Sequence, residues 1–280
     1  MALAIATNNA ALNAAASASS VNRDMETSMA RLSSGKRINS ASDDAAGVAI
    51  SSRLSAEIRG TDQAIRNSLD GQALIDTAEG AHKEIENILQ RMREVTIQAA
   101  NDTNNDQDRA NLQAEIEAMT TEIDRIAGTT TWAGADLIED ATTTFSFQVG
   151  AATGAKNQIS VTIATMNATG LGVGTGTASV IDVTDATKAN TGTGLIDAAI
   201  EDVNIQRSEL GAVSNQLNHT VNNLTTISSN LSAAKGGIED ADFALETTNL
   251  AKNQILQQAS TAMLAQANAS QQNVLALLRS

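Results

Sequence analysis

Reactive side chains are scarce in this 280-residue chain. His82 and His219 are the only histidines, and there is no cysteine. His82-Lys83-Glu84 lacks the second histidine, one helical turn on, that a zinc-binding helix needs, so both histidines are expected to be solvated residues on helix faces. Gly172-Val173-Gly174-Thr175-Gly176 has no following Lys-Ser/Thr and no strand–helix setting, so it does not read as a phosphate cradle. Asn104 to Asp108 is acidic enough to suggest calcium. It lacks the 12-residue loop spacing and the terminal glutamate of that site, and turn chemistry explains it better. Asn-x-Ser/Thr triplets begin at Asn101, Asn167, Asn218, Asn223, Asn230 and Asn268, as chance produces in a chain rich in these residues. No nucleophile–base pair stands out. The residue types point away from an enzyme and name no cofactor or metal.

Composition narrows the classes further. Acidic residues outnumber basic ones 32 to 18, a net charge of −14, which opposes binding to nucleic acid or to an anionic membrane surface. Without cysteine there is neither a disulfide framework nor a thiolate metal site. Proline is absent and only Trp132, Phe145, Phe147 and Phe243 are aromatic. Such a chain can run long uninterrupted helices, but it has little material for pocket walls. No stretch approaches the apolar length of a transmembrane helix. Residues 1–22 carry no basic start, and Asn8, Asn9 and Asn13 break their apolar run, so a cleavable secretory signal is not expected.

Heptad periodicity then organises the chain. Leu74, Ala78, Ala81, Ile85, Ile88, Met92, Val95 and Ala99 alternate steps of four and three, which keeps them on one helical stripe. Ile50, Leu54, Ile58, Ile65 and Leu69 prolong that stripe upstream with a phase shift near Gly71. The spacing predicts a helix over about 44–100, capped by Ser42, Asp43 and Asp44 and ended by the polar run 101–106. Leu112, Ile116, Met119, Ile123 and Ile126 predict a second helix that stops at Gly128. Ten of the 18 glycines fall from Gly128 to Gly194. Within that region Phe145–Val149 and Ile159–Ile163 alternate with period two and predict a β-hairpin, while 165–193 reads as loop or weak strands. Heptads return with Ala199, Val203, Gln206, Leu210, Val213, Leu217, Thr220, Leu224, Ile227 and Leu231. Gly236-Gly237 is expected to interrupt them before a last helix that carries Leu256, Met263, Ala267, Val274 and Leu278 on one face.

The ends differ from the rest. Residues 2–22 hold no charge, and 247–280 hold only Lys252 and Arg279. Helices of this kind are marginal alone in water and lack the charge that solubilises a surface helix. Such segments are either disordered or buried in a multi-chain assembly; in the second case their apolar residues, Leu12, Val21, Met25, Leu256, Met263, Val274 and Leu278, are expected to form a core shared between chains. Ile85, Ile88, Met92, Leu210, Leu217 and Leu224 are expected to pack the heptad helices together. The fold class is mainly α, with long antiparallel coiled-coil helices from both chain ends and a small β-hairpin region between them.

Long strings at both ends carry a family resemblance. They include Arg31-Leu-Ser-Ser-Gly-Lys-Arg-Ile-Asn-Ser-Ala-Ser-Asp-Asp-Ala-Ala-Gly47, Gln63-Ala-Ile-Arg-Asn-Ser-Leu-Asp-Gly71 and Leu89-Gln-Arg-Met-Arg-Glu94. Toward the C-terminus they include Gln206-Arg-Ser-Glu-Leu-Gly-Ala-Val-Ser-Asn215, Ile238-Glu-Asp-Ala-Asp-Phe-Ala244 and Leu264-Ala-Gln-Ala-Asn268. In these strings the chain resembles bacterial flagellin. The resemblance implies a structural subunit that polymerises into the flagellar filament used for swimming. The alternative within the same apparatus is the hook–filament junction protein. It also implies the division of the chain: 1–42 and 237–280 form an inner coiled coil, 43–127 and 195–236 a shell, and 128–194 a short β region without large outer domains. Implied partners are other copies of the chain, an export chaperone, and the cap and junction proteins. Implied localisation is extracellular, by export of the unfolded chain. Arg91, Val95 and Glu115 match the patch by which the flagellin-sensing Toll-like receptor grips many flagellins, although Arg91 and Glu115 have the bland alternative of pairing with neighbouring side chains. Ala16 and Ala18 are smaller than the residues relatives often carry there.

Overall fold

The computed structural model describes residues 7–139, 142–175 and 178–277, with side chains as far as Gln272. Five helices carry the chain: α1 Asn9–Ser34, α2 Ala45–Ala99, α3 Asp106–Thr129, α4 Ala186–Glu239 and α5 Phe243–Leu277. Between α3 and α4 lie three two-stranded antiparallel ribbons: β1 Thr131–Trp132 with β2 Ala135–Asp136, β3 Thr143–Gln148 with β4 Gln158–Ile163, and β5 Gly174–Thr175 with β6 Ala178–Ser179. The chain divides into two units, Met1–Ala56 with Asn230–Ser280, and Glu57–Ser229.

Local chemistry sets the helix ends. The Asn8 side chain accepts from the Ala11 amide and caps α1, which stops at Gly35 in the left-handed region at φ 70°. Asp44 accepts from the Gly47 amide at 2.8 Å at the start of α2. The acidic run read as turn chemistry is a reciprocal capping box, with Asn105 accepting from the Asp108 amide and Asp108 from the Asn105 amide.

In the Glu57–Ser229 unit α2 and α4 run antiparallel in constant register. Ser228 donates to Asp62, Gly71 lies against Leu217, Arg207 pairs with Glu86, Arg93 with Asp197, and Thr193 donates to Thr96. On α4 the predicted stripe is buried at Ala199, Val203, Gln206, Leu210, Leu217 and Leu224, but Val213, Thr220 and Leu231 are only half-buried and Ile227 is exposed. On α2 the buried set is shifted and broader than the predicted stripe. Thr61, Ala64, Ser68, Gly71, Ile75, Ala78, His82, Ile85, Leu89, Met92, Thr96 and Ala99 step by three and four, with Leu74 and Val95 buried beside them. Ala81 and Ile88 are only half-buried, and Ile50 and Leu69 are exposed. The cause is that α2 serves two neighbours. Arg91 reaches α3 through Glu115, Arg93 reaches α4 through Asp197, and the arc between them is buried.

The predicted hairpin forms as β3 and β4, with Phe145 opposite Val161 and Phe147 opposite Ile159. Its inner face lies on the helices, where a Cβ at Gly71 would stand 3.2 Å from the Phe147 ring. Two boundaries differ from the sequence reading. Helix α4 starts at Ala186, well before Gly194, and Gly192 is a buried helical residue. A Cβ there would meet the Ile181 side chain at 2.9 Å, so a small residue lets the helix close onto the segment before it. Gly236 and Gly237 do not interrupt α4, which runs through them to Glu239. The break comes where the backbone bonds to the α1–α2 connection instead: Arg37 N–H donates to the Glu239 carbonyl and Ala241 N–H to that of Gly35.

Candidate self-assembly surface and exposed charge patch

The unit built from the two chain ends inverts the usual placement of side chains. α1 faces α5 with Ala11, Ala14, Ala18, Val21, Met25, Ser28 and Leu32, spaced three and four. α5 answers with Glu246, Leu250, Asn253, Gln257, Ser260, Leu264, Ala267 and Gln271 on the same rhythm. This seam is largely small or polar. Ties that cross it include Asn8 Nδ2 donating to the Ala267 carbonyl at 3.1 Å, Gln257 Nε2 to Asn22 Oδ1 at 2.7 Å, and Arg31 lying 3.8 Å from the buried carboxylate of Glu246. Other large apolar side chains are left exposed. Leu12 is 60% exposed, Phe243 69%, Ile255 67% and Met263 65%, with Met29, Leu245 and Leu256 also exposed. An isolated soluble helix pair turns its leucines inward and its glutamines outward. Seven large apolar side chains left exposed on a two-helix unit point to an interaction face.

The residues expected to form a shared core therefore separate into two groups. Val21 and Met25 lie half-buried on the seam within one chain, whereas Leu12, Leu256 and Met263 face outward. Leu256 and Met263 do not share a burial face with Ala267, which lies on the seam. The Val274 side chain and Leu278 lie outside the described residues. Of the residues expected to pack the heptad helices, Ile85, Met92, Leu210, Leu217 and Leu224 are buried and Ile88 is half-buried.

Arg91 and Glu115 come together on the surface of the Glu57–Ser229 unit. Arg91 Nε and Nη2 donate to Glu115 Oε1 at 3.1 and 2.8 Å, and Nη1 donates to Glu94 Oε2 at 3.0 Å. Hydrogen bonding to Glu115 is the main reason the Arg91 guanidinium is held above its ordinary pKa. Val95 does not join them at the surface; it is fully buried in the arc between α3 and α4.

Two residues of this unit escaped the sequence reading. His82 is fully buried, not solvated, and neither ring nitrogen has a hydrogen-bond partner. Burial, reinforced by the nearby Arg207 cation, pushes its pKa down to about 4. Its periodicity with Ile75, Leu89 and Thr96 is the signal that would have found it. His219 is exposed, as expected. Gln206, the polar member of the α4 stripe, receives the Ala164 amide at 3.2 Å and donates to the Thr162 carbonyl at 3.0 Å, so it clamps the end of β4. Among the described residues no group of His, Asp and Glu is arranged to hold a metal ion, and no helix is long and apolar enough to cross a membrane.

Comparison with known proteins places these features among relatives. Residues 5–144 match the family model of the bacterial flagellin N-terminal helical region, and 193–278 match that of the C-terminal helical region. The chain is 44% identical to a flagellin of Halalkalibacterium halodurans over 254 residues, covering 91% of this chain and 92% of that one. It is 44% identical over 301 residues to flagellin of Bacillus subtilis, covering 97% and 98%. Among solved structures, Bacillus cereus flagellin matches with a TM-score of 0.47 at 30% identity, covering 61% of this chain and 94% of that one.

Proposed function

The chain belongs to the bacterial flagellin family of flagellar filament subunits, and from that premise we propose how this molecule builds a filament. The outward faces of α1 and α5 are its polymerisation surface, covered by neighbouring copies. Residues 1–42 and 237–280 supply the inner layer, and 43–127 with 195–236 the shell that carries the short β region. The observation that carries this reading is the exposure of Leu12, Phe243, Ile255 and Met263 around a polar seam. Only burial between copies removes that apolar surface from water, at roughly 25 cal/mol per Å². The relatives' names favour the filament subunit over the junction protein.

The role is structural, with no catalytic step. Membership of the family supports the further proposal of export through the flagellar apparatus without a cleaved signal, and of dealings with an export chaperone, cap and junction proteins. An innate receptor of the Toll-like class would meet the exposed Arg91–Glu115 pair, with Val95 supporting the patch from beneath. The test of the polymerisation surface is seeded assembly followed by sedimentation and electron microscopy. Wild type is expected to form long tubes. Ile255→Gln with Met263→Gln is expected to stay soluble while the Glu57–Ser229 unit melts unchanged. Tubes from that variant at the wild-type critical concentration would overturn the reading.

A further inference from the structure

Small side chains make a seam that can slide. A heptad seam holds its register when each knob finds a hole of its own shape. Ala11, Ala14 and Ala18 on α1 face Ser260, Leu264 and Ala267 on α5, and one alanine fits an alanine's place as well as the next. A shift of one heptad would set Ala18 against Asn253 or Ala267 and Val21 against Leu250 or Leu264, pairings that the apolar side chains alone do not exclude. The polar ties do not tolerate it. Asn22–Gln257, Asn8–Ala267 and Arg31–Glu246 all agree on one antiparallel register, which the backbone bridge between Lys36 and Asp240 continues at the turn. After a slip the Glu246 carboxylate, buried in the native register, would lose its cation, and Asn22 and Gln257 would lose each other.

We propose that Asn22, Gln257 and the Arg31–Glu246 pair are register-determining residues. They fix which outward side chains of α1 lie level with which outward side chains of α5, and so compose the surface that neighbouring copies recognise. This rests on the polymerisation surface proposed above. That register sets the level of Leu12 and Met29 on one helix relative to Leu256 and Met263 on the other. A slip of seven residues displaces one helix's contribution by roughly 10 Å at 1.5 Å per residue. A polar residue at a seam position that specifies register at a cost in stability is an attested use of such groups; here Gln257 and Glu246 hold seam positions and Asn22 flanks them.

Because the chain has no cysteine, register can be read by disulfide trapping in the full-length protein. Ala18→Cys with Ser260→Cys reports the native register. Ala18→Cys with Asn253→Cys or Ala267→Cys reports slips of one heptad in either direction. In the otherwise wild-type chain, only the first pair is expected to close. In the background of Asn22→Leu with Gln257→Leu, which leaves no polar group unpaired, the slipped pairs are expected to close as well, and assembled tubes to lose uniform diameter or fail to form. The reciprocal exchange Asn22→Gln with Gln257→Asn is expected to retain the native pair. Exclusive closure of the native pair and normal tubes in the Leu–Leu background would overturn the proposal. Failure of the parent chain to form tubes, with its trapping pattern intact, would instead count against the polymerisation surface.

Discussion

At the scale of residues, the buried arc of α2 carries two consequences. His82 has its folded pKa lowered to about 4, against about 6.5 in an unfolded chain. As pH falls from 6.5 toward 4, the unfolded chain takes up the proton first, so stability is lost across that window and the loss levels off below it. The depth is about 3 kcal/mol. Melts of wild type and His82→Leu at pH 7, 5 and 4 are expected to diverge as the solution is acidified, with the variant holding its stability better. A difference between the two that does not change with pH would contradict this. The same arc ranks three neighbours. Leu89→Ala should cost roughly 2–5 kcal/mol, as buried large-to-small changes do. Ile88→Ala should cost less, because Ile88 is half-buried where Leu89 is fully buried. Glu94→Ala should stay within roughly 0.5 kcal/mol, its side chain being 70% exposed. Chemical denaturation of the three variants orders them. Counting one stripe per helix favours Ala81 and Ile88, which are only half-buried, and passes over His82 and Leu89, because the count assumes one neighbour where α2 has two. Arg91 and Glu115 were legible as surface charges; that Val95 is fully buried rather than beside them on the surface is a fact of three-dimensional packing.

At the scale of elements, the long helices were legible because heptads repeat for many turns without proline. The hairpin was legible because Phe145, Phe147, Ile159, Val161 and Ile163 alternate. What escaped depended on partners. Gly192 and Gly194 read as loop residues, yet Gly192 is helical because Ile181 presses where a side chain would stand. Gly236 and Gly237 read as a break, yet the helix ends only where Arg37 and Gly35 take over its backbone bonds. Gln206 read as one more stripe position, and its role appears only once β4 lies against α4. Gln206→Ala should strand the Ala164 amide and the Thr162 carbonyl and cost about 1–3 kcal/mol, the penalty of buried polar groups left unpaired. Amide exchange should show the loss concentrated in Gln158–Ile163, with the α2–α4 pairing retained. Uniform loss of protection across the unit would show that the clamp holds more than the strand.

At the scale of the whole molecule, the contrast between the two units decides how the chain behaves before it assembles. The Glu57–Ser229 unit buries Leu74, Ile75, Ile85, Leu89, Met92, Ile116, Ile123, Ile196 and Leu210 essentially completely. The seam of the other unit has few large apolar residues, none of them fully buried, and its remaining positions are Ala, Ser, Asn, Gln and the buried Glu246. Helical stability in proteins comes mostly from burying an apolar face, and an isolated helix pair that buries alanine and glutamine is marginal. Local opening is easiest where buried apolar contact is sparse. In the unassembled chain, amides of Asn9–Ser34 and Phe243–Leu277 are therefore expected to exchange within seconds, while those of Ile85–Val95 and Leu210–Leu224 stay protected. On assembly the order should reverse its cause: the ends become protected because neighbouring copies cover Phe243, Ile255 and Met263, with no change in the seam itself. Exchange measured on monomer and on sedimented polymer separates these states. Protection of both ends in a sample shown to be monomeric would mean that the seam is stable by itself, and that the outward apolar faces are not needed to order it.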